Sequence, residues 1–174
     1  ICTDVACTAP MIQPVNIPGG VPSSSIFSFG LLNGNPIFAM GNVNEVVLLK
    51  CVSPTCAEAP TVKIVDANLY GVYGIAMTIA ATTPIITYTV LENSHVWIKV
   101  ATCTDSACDG PMYVHTVDET DMQYSAVSLV NGLPVIAYTR NGIRLATCLD
   151  LVCNYSSSTQ IADAYNFVPL IQES

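Results

Sequence analysis

Charge is what this chain has least of. Only 10% of its 174 residues are Asp, Glu, Lys or Arg, against about 25% in an ordinary soluble domain. Basic residues are scarcer still, with 5 Lys and Arg set against 13 Asp and Glu, a net charge of -8. A phosphate backbone would be repelled, which excludes a nucleic-acid binder. Low hydrophobicity is also missing. Hydrophobic residues reach 51%, so the chain is not of the disordered class. Signatures of catalysis are absent too. There is no Gly-x-Ser-x-Gly elbow, no P-loop, no His-Glu-x-x-His and no Ser-x-Asp-x-Gly-x-x-Trp box. A sialidase or glycosidase needs an arginine cluster or a placed carboxylate pair. The only arginines are Arg140 and Arg144, close together in one predicted hairpin. The expectation is a protein that is not an enzyme and holds no cofactor.

Cysteine, by contrast, is plentiful and ordered. The eight cysteines form four Cys-x4-Cys pairs: Cys2/Cys7, Cys51/Cys56, Cys103/Cys108 and Cys148/Cys153. The first cysteines of successive pairs lie 45 to 52 residues apart. A structural zinc site needs about four ligands brought together, and only His95 and His115 could add to the thiols. Local disulfides are therefore predicted for all four pairs, with zinc or free thiols as the alternatives. Disulfides imply an oxidising, extracellular or surface location. Asn154-Tyr155-Ser156, directly after Cys153, is a possible N-glycosylation sequon. The first residue is Ile1 rather than Met, so a processed product or a piece of a longer chain is expected. Residues 67–91 carry no charge and are long enough to span a membrane. Pro84 and the Thr and Tyr content argue for hairpins instead.

Helical signals are also missing, since no sustained i, i+3, i+4 apolar stripe occurs. What occurs is a repeat. Three segments open on proline: Pro36-Ile37-Phe38-Ala39-Met40, Pro84-Ile85-Ile86-Thr87-Tyr88 and Pro134-Val135-Ile136-Ala137-Tyr138. Proline suits the start of a strand because it cannot donate to a ladder. A polar turn follows, then a strand running into the first cysteine, then the cysteine loop. A strand ending at Asp66, Asp118 or Asp163 comes next. Another strand precedes each proline. Four strands in about 50 residues is the period of a propeller blade. Strands apolar on both faces suit sheets packed face to face.

The predicted fold is all-β, a β-propeller-like tandem repeat of four-stranded antiparallel blades forming a partial ring. β-Solenoid, other stacked sheets or an Ig-like array are the alternatives. The predicted units are a partial repeat over 1–22, with its cysteine loop and a strand at Met11 to Asn16. Repeats follow over 23–66, 67–118 and 119–163, and a further one starts at 164–174.

Leu133-Pro134-Val135-Ile136-Ala137-Tyr138 and Ile98-Lys99-Val100-Ala101-Thr102-Cys103-Thr104-Asp105-Ser106-Ala107-Cys108 carry a likeness. They resemble the cysteine-containing β-propeller-type repeat of uncharacterised secreted or surface proteins. The likeness covers nearly the whole chain and implies architecture rather than activity. Lys50-Cys51 departs from its Ala-Thr-Cys form.

Single residues get modest expectations. Asp105 and Asp150 suit the turns of the cysteine loops, with calcium binding the alternative. Asp66, Asp118 and Asp163 are expected to cap loops, the alternative being a ring of cation sites. Tyr88 and Tyr138 are expected to pack with the hydroxyl near an edge, or else to offer a sugar platform. Trp97 is expected in a core, and His95 and His115 at the surface. The expected function is a non-catalytic extracellular structural or interaction module, a segment of a larger or self-assembling surface or filament protein. Its expected partners are copies of itself or neighbouring domains. A lectin-like glycan-binding module is the alternative.

Overall fold

A computed structural model describes residues 26–121 and 124–163. Among them lie twelve strands and no helix. The first four are β1 (Ile26–Leu32), β2 (Asn35–Gly41), β3 (Glu45–Lys50) and β4 (Thr61–Ala67). Next come β5 (Val72–Ala80), β6 (Thr83–Glu92), β7 (His95–Cys103) and β8 (Met112–Thr120). The last are β9 (Ser125–Val130), β10 (Leu133–Thr139), β11 (Gly142–Cys148) and β12 (Ser156–Asp163). Each consecutive four form one antiparallel sheet with neighbours in chain order. The all-β class and the four-stranded antiparallel unit are therefore present as expected. Each sheet is open, and none closes into a barrel.

The local sequence explains the meander. Asn33-Gly34 and Asn131-Gly132 join the first two strands of the outer sheets, with φ of 51° and 80° and of 52° and 78°. Two central residues at positive φ make the turn whose twist matches that of the flanking strands. The prolines sit one residue inside β2, β6 and β10. A bulge recurs in the last hairpin of every sheet, between Val46/Val47, Ile98/Lys99 and Ile143/Arg144. One extra residue there re-aims the side chains beyond it.

The sheets stack through their first strands, β1 beside β5 and β5 beside β9. Gly30 permits the first approach, since a Cβ there would lie 3.0 Å from Ile79 Cδ1. One core fills the space between the first and second sheets, with Ile37, Ala39, Val46 and Leu48 against Ile86, Tyr88, Val90 and Ala101. A second core joins the second and third sheets, with Ile85, Ile98 and Val100 against Ile136, Tyr138 and Ala146. The middle sheet therefore has two buried faces. In β6 every residue from Pro84 to Val90 is buried. This accounts for the uncharged run 67–91, which forms β5 and most of β6. Among the described residues no helix is long and apolar enough to cross a membrane. The outermost strand of the third sheet is the opposite case. β12 is almost wholly exposed and reads Ser-Ser-Ser-Thr-Gln at its start.

Candidate functional site: the seams between the sheets

The disulfide loops come first, because they fix the ends of the third and fourth strands. Cys51–Cys56, Cys103–Cys108 and Cys148–Cys153 are bonded, with Cα–Cα distances of 5.1, 5.1 and 4.8 Å. Cys2 and Cys7 lie outside the described residues. In each loop the second cysteine has positive φ, 52° to 57°, a region costly for a residue with a Cβ. Its N–H bonds back to the carbonyl of Ser53, Asp105 or Asp150 at 3.1 to 3.3 Å. The cross-link thus closes a turn that has no glycine at the strained place. Three disulfides mark a chain suited to an oxidising, extracellular type of environment.

Asp105 organises its loop from within. Its carboxylate accepts the amides of Ala107 at 2.9 Å, Asp109 at 3.2 Å and Gly110 at 2.6 Å. The amides of Gly110 and Asp109 hold its pKa below the ordinary carboxylate value. Asp150 accepts the Asn154 amide at 3.0 Å. Both carboxylates are engaged by backbone donors, the turn role expected of them. Among the described residues no group of three or more His, Cys, Asp or Glu side chains could hold a metal ion. Asn154 is exposed beside the third disulfide.

The strand-end aspartates do more than cap loops. Asp66, on the last strand of the first sheet, accepts the Tyr88 hydroxyl of the second sheet at 2.7 Å. Asp118, on the last strand of the second sheet, accepts the Tyr138 hydroxyl of the third. The bulge places these carboxylates. After it Asp66 pairs with Val46 and Asp118 with Ile98, residues whose side chains face the next sheet. In the third sheet the matching partner of Ile143 is Ala162. Asp163 stands one residue further on and accepts Gln160 Nε2 at 2.6 Å. The three aspartates are therefore not equivalent, because a step of one residue turns a strand side chain to the other face. Met40 holds the tyrosine place in the first sheet. The described residues thus contain two tyrosine–aspartate latches, one per seam.

Both tyrosines are buried rather than at an edge. Tyr88 is fully buried and Tyr138 is 3% exposed. Burial, and then the bond to Asp66, push the Tyr88 pKa far above the phenol range. Burial and Asp118 raise Tyr138 as well. Both are neutral donors at neutral pH.

Sequence reasoning gave the cations no structural role, yet four of them complete the seams. All five lie among the described residues. Lys99, 12% exposed, reaches Asp66 at 3.3 Å and Glu92 at 2.5 Å. Lys50 donates to the Ala107 carbonyl and to Asp109 at 2.7 Å. Lys63 donates to the Cys108 carbonyl at 3.1 Å. Two lysines of the first sheet therefore grip the cysteine loop of the second. Lys50, the departure from the Ala-Thr-Cys pattern, is a seam contact. Arg140 pairs with Asp118 and with Glu119, the latter at 3.1 Å. Arg144 stays inside its own sheet, on Ser158 at 3.2 Å and Gln160 at 3.4 Å. The signal that could have found them was scarcity, since four of only five cations cross a seam.

No family model matches the chain, and no curated protein is similar to it.

The remaining residues fall into supporting places. Trp97 packs against the first core and lies 6.0 Å from the His95 ring. His95 is exposed and bonds Glu119 at 2.6 Å. His115 is half-buried and stacks on Tyr113 at 6.4 Å.

Proposed function

We propose that the chain is a non-catalytic structural or interaction module of an extracellular or surface assembly, built as an arc of β-propeller-type blades. Each four-stranded meander is one blade, and the resemblance to cysteine-containing propeller repeats belongs to this reading. One observation carries it: the chain's rare cations and buried tyrosines serve to join sheet to sheet. Every arginine and lysine already has a structural partner, so none is left to bind a substrate carboxylate or phosphate.

The partner in this reading is a further copy of the chain or an adjoining unit, meeting the outer face of the first sheet. Phe27, Phe29, Leu31, Val62 and Ile64 are 44% to 65% exposed. They alternate with the residues that face the second sheet. The matching residues of the second sheet's first strand, Ile75, Met77 and Ile79, pack against the first core. Apolar surface of this kind marks an interaction site, and a head-to-tail contact would extend the stack. Sedimentation velocity over a range of concentrations tests this. Association is expected, and Phe29→Ser with Ile64→Ser should abolish it. A species that stays monomeric throughout would overturn the self-association. A glycan-binding role has one observation in its favour, the cleft beside Tyr70.

A further inference from the structure

Tyr70 is the most exposed large hydrophobic residue among the described residues, at 76%. It stands in the connection between the first and second sheets, and its neighbours on both sides are anchored. The Leu69 amide bonds the Asn44 carbonyl at 2.9 Å, and the Leu69 side chain is buried in the first core. On the other side the Gly71 carbonyl accepts the Leu91 amide at 3.0 Å. An aromatic ring between two pinned neighbours is displayed outward by the fold.

The ring borders a cleft of about 480 Å³ lined by Asn44, Glu45, Ala67, Asn68, Leu69 and Tyr70. This volume is in the range of small-molecule sites. Asn42 performs the turn bonding here, its side-chain oxygen accepting the amides of Asn44 at 2.7 Å and Glu45 at 3.0 Å. That leaves the side-chain amides of Asn44 and Asn68 and the Tyr70 hydroxyl without a partner among the described residues. Asn68 is held at φ 61°, a conformation that Asn tolerates better than most residues.

We propose that this cleft binds a neutral saccharide. The Tyr70 ring offers an apolar face for the C–H face of a pyranose. Each free amide presents a donor and an acceptor, the pattern that adjacent hydroxyls require. No lysine or arginine lines the cleft, so an anionic ligand has no counter-charge there. A quaternary or methylated amine is the competing ligand, through Tyr70 and Glu45. It is disfavoured because recognition of such cations uses a cage of several rings and one ring lines this cleft. The site deepens the glycan-binding reading and does not depend on the association of copies.

Saturation-transfer NMR on the whole chain tests it, with the methyl glycosides of glucose, galactose, mannose and N-acetylglucosamine at millimolar concentration. Trimethyllysine is the control ligand. Transfer to at least one sugar is expected. Tyr70→Ala should weaken that sugar's affinity about ten-fold or more, equivalent to about 1.4 kcal/mol. Asn44→Ala should weaken it less. Both side chains are exposed, and an unchanged near-ultraviolet circular dichroism spectrum would show that the sheets still pack. No transfer to any sugar, or transfer that survives Tyr70→Ala, would overturn the proposal. So would preferential binding of trimethyllysine that Glu45→Gln removes. Sedimentation reads the joining of copies separately, so failure of either idea is visible on its own.

Discussion

The two seams share a geometry but differ in what secures them. At the first, three lysines cross from sheet to sheet, and a fully buried tyrosine meets Asp66 beside one of them. At the second, one arginine crosses, 38% exposed. Hydroxyls and backbone do more of the joining there. Thr120 Oγ1 donates to the Thr139 carbonyl at 2.6 Å, and the Asp121 amide donates to the same carbonyl at 3.2 Å. The second seam also buries Thr87, Thr89 and Thr102 on the face of the middle sheet that meets the third. Among the described residues the Thr102 hydroxyl has no hydrogen-bond partner. An unpaired buried hydroxyl carries a desolvation cost. The lesson is that packing of alternate faces sets the stack. The polar chemistry of each seam is then free to vary. The weaker side is the third sheet, whose amides should exchange with solvent before those of the other two.

The largest effect expected is from Tyr88→Ala. It removes a fully buried ring and its latch, at a cost of about 3–5 kcal/mol by analogy with Phe and Trp truncations. Tyr138→Ala should cost less, because its seam is less enclosed. Equal losses in urea denaturation would erase the contrast between the seams. Next comes Lys99→Met, which leaves Asp66 and Glu92 without their cation and should cost about 1–3 kcal/mol. Arg140→Met, at a more exposed pair, should cost about 1 kcal/mol or less. The reverse order would show that the arginine fork matters more than burial.

Thr102→Val should raise stability by about 1 kcal/mol, since it removes an unsatisfied buried hydroxyl while keeping the shape. A lower melting temperature would mean that the hydroxyl has a partner. The smallest effect is expected from Lys50→Thr, which restores the residue of the other two repeats. Asp109 is 74% exposed, so the loss should be under about 1 kcal/mol and should shrink as salt is added.

Alkaline pH sharpens the comparison in another way. Both seam tyrosines have raised pKa values in the fold. The stability they add is complete below the ordinary tyrosine value of about 10 and falls as pH climbs past it. Phenolate absorbance from Tyr138 should therefore appear before that from Tyr88. Tyr138→Phe and Tyr88→Phe assign the two steps.

Much of the fold was legible because a strand-and-turn repeat is written in local signals. Pro36, Pro84 and Pro134 announce strands, and the cysteine spacing announces closed loops, three of which lie among the described residues. The seams were harder to read. Asp66 and Asp118 looked like loop caps because the partner of each lies about 20 residues further on, in the next repeat. The mismatch of Asp163 depends on a one-residue register difference after a bulge, which no composition reveals. Lys99 and Lys63 carried no sign of their seam contacts, since a sequence shows which strand a lysine is on but not what faces it.

Each latch takes its carboxylate from the last strand of one repeat and its hydroxyl from the second strand of the following one. The segment that a duplication would copy is thus out of step with the segment that holds together. A repeat cut out at its own boundaries would keep half of one fastening and half of another, and neither half has a use alone. Copying or removing the middle repeat would preserve every fastening inside the array, whereas copying the first or the third would not, because Met40 and Ala162 stand at their latch positions. Through its middle repeat such a chain can change in length without any new invention at its joints.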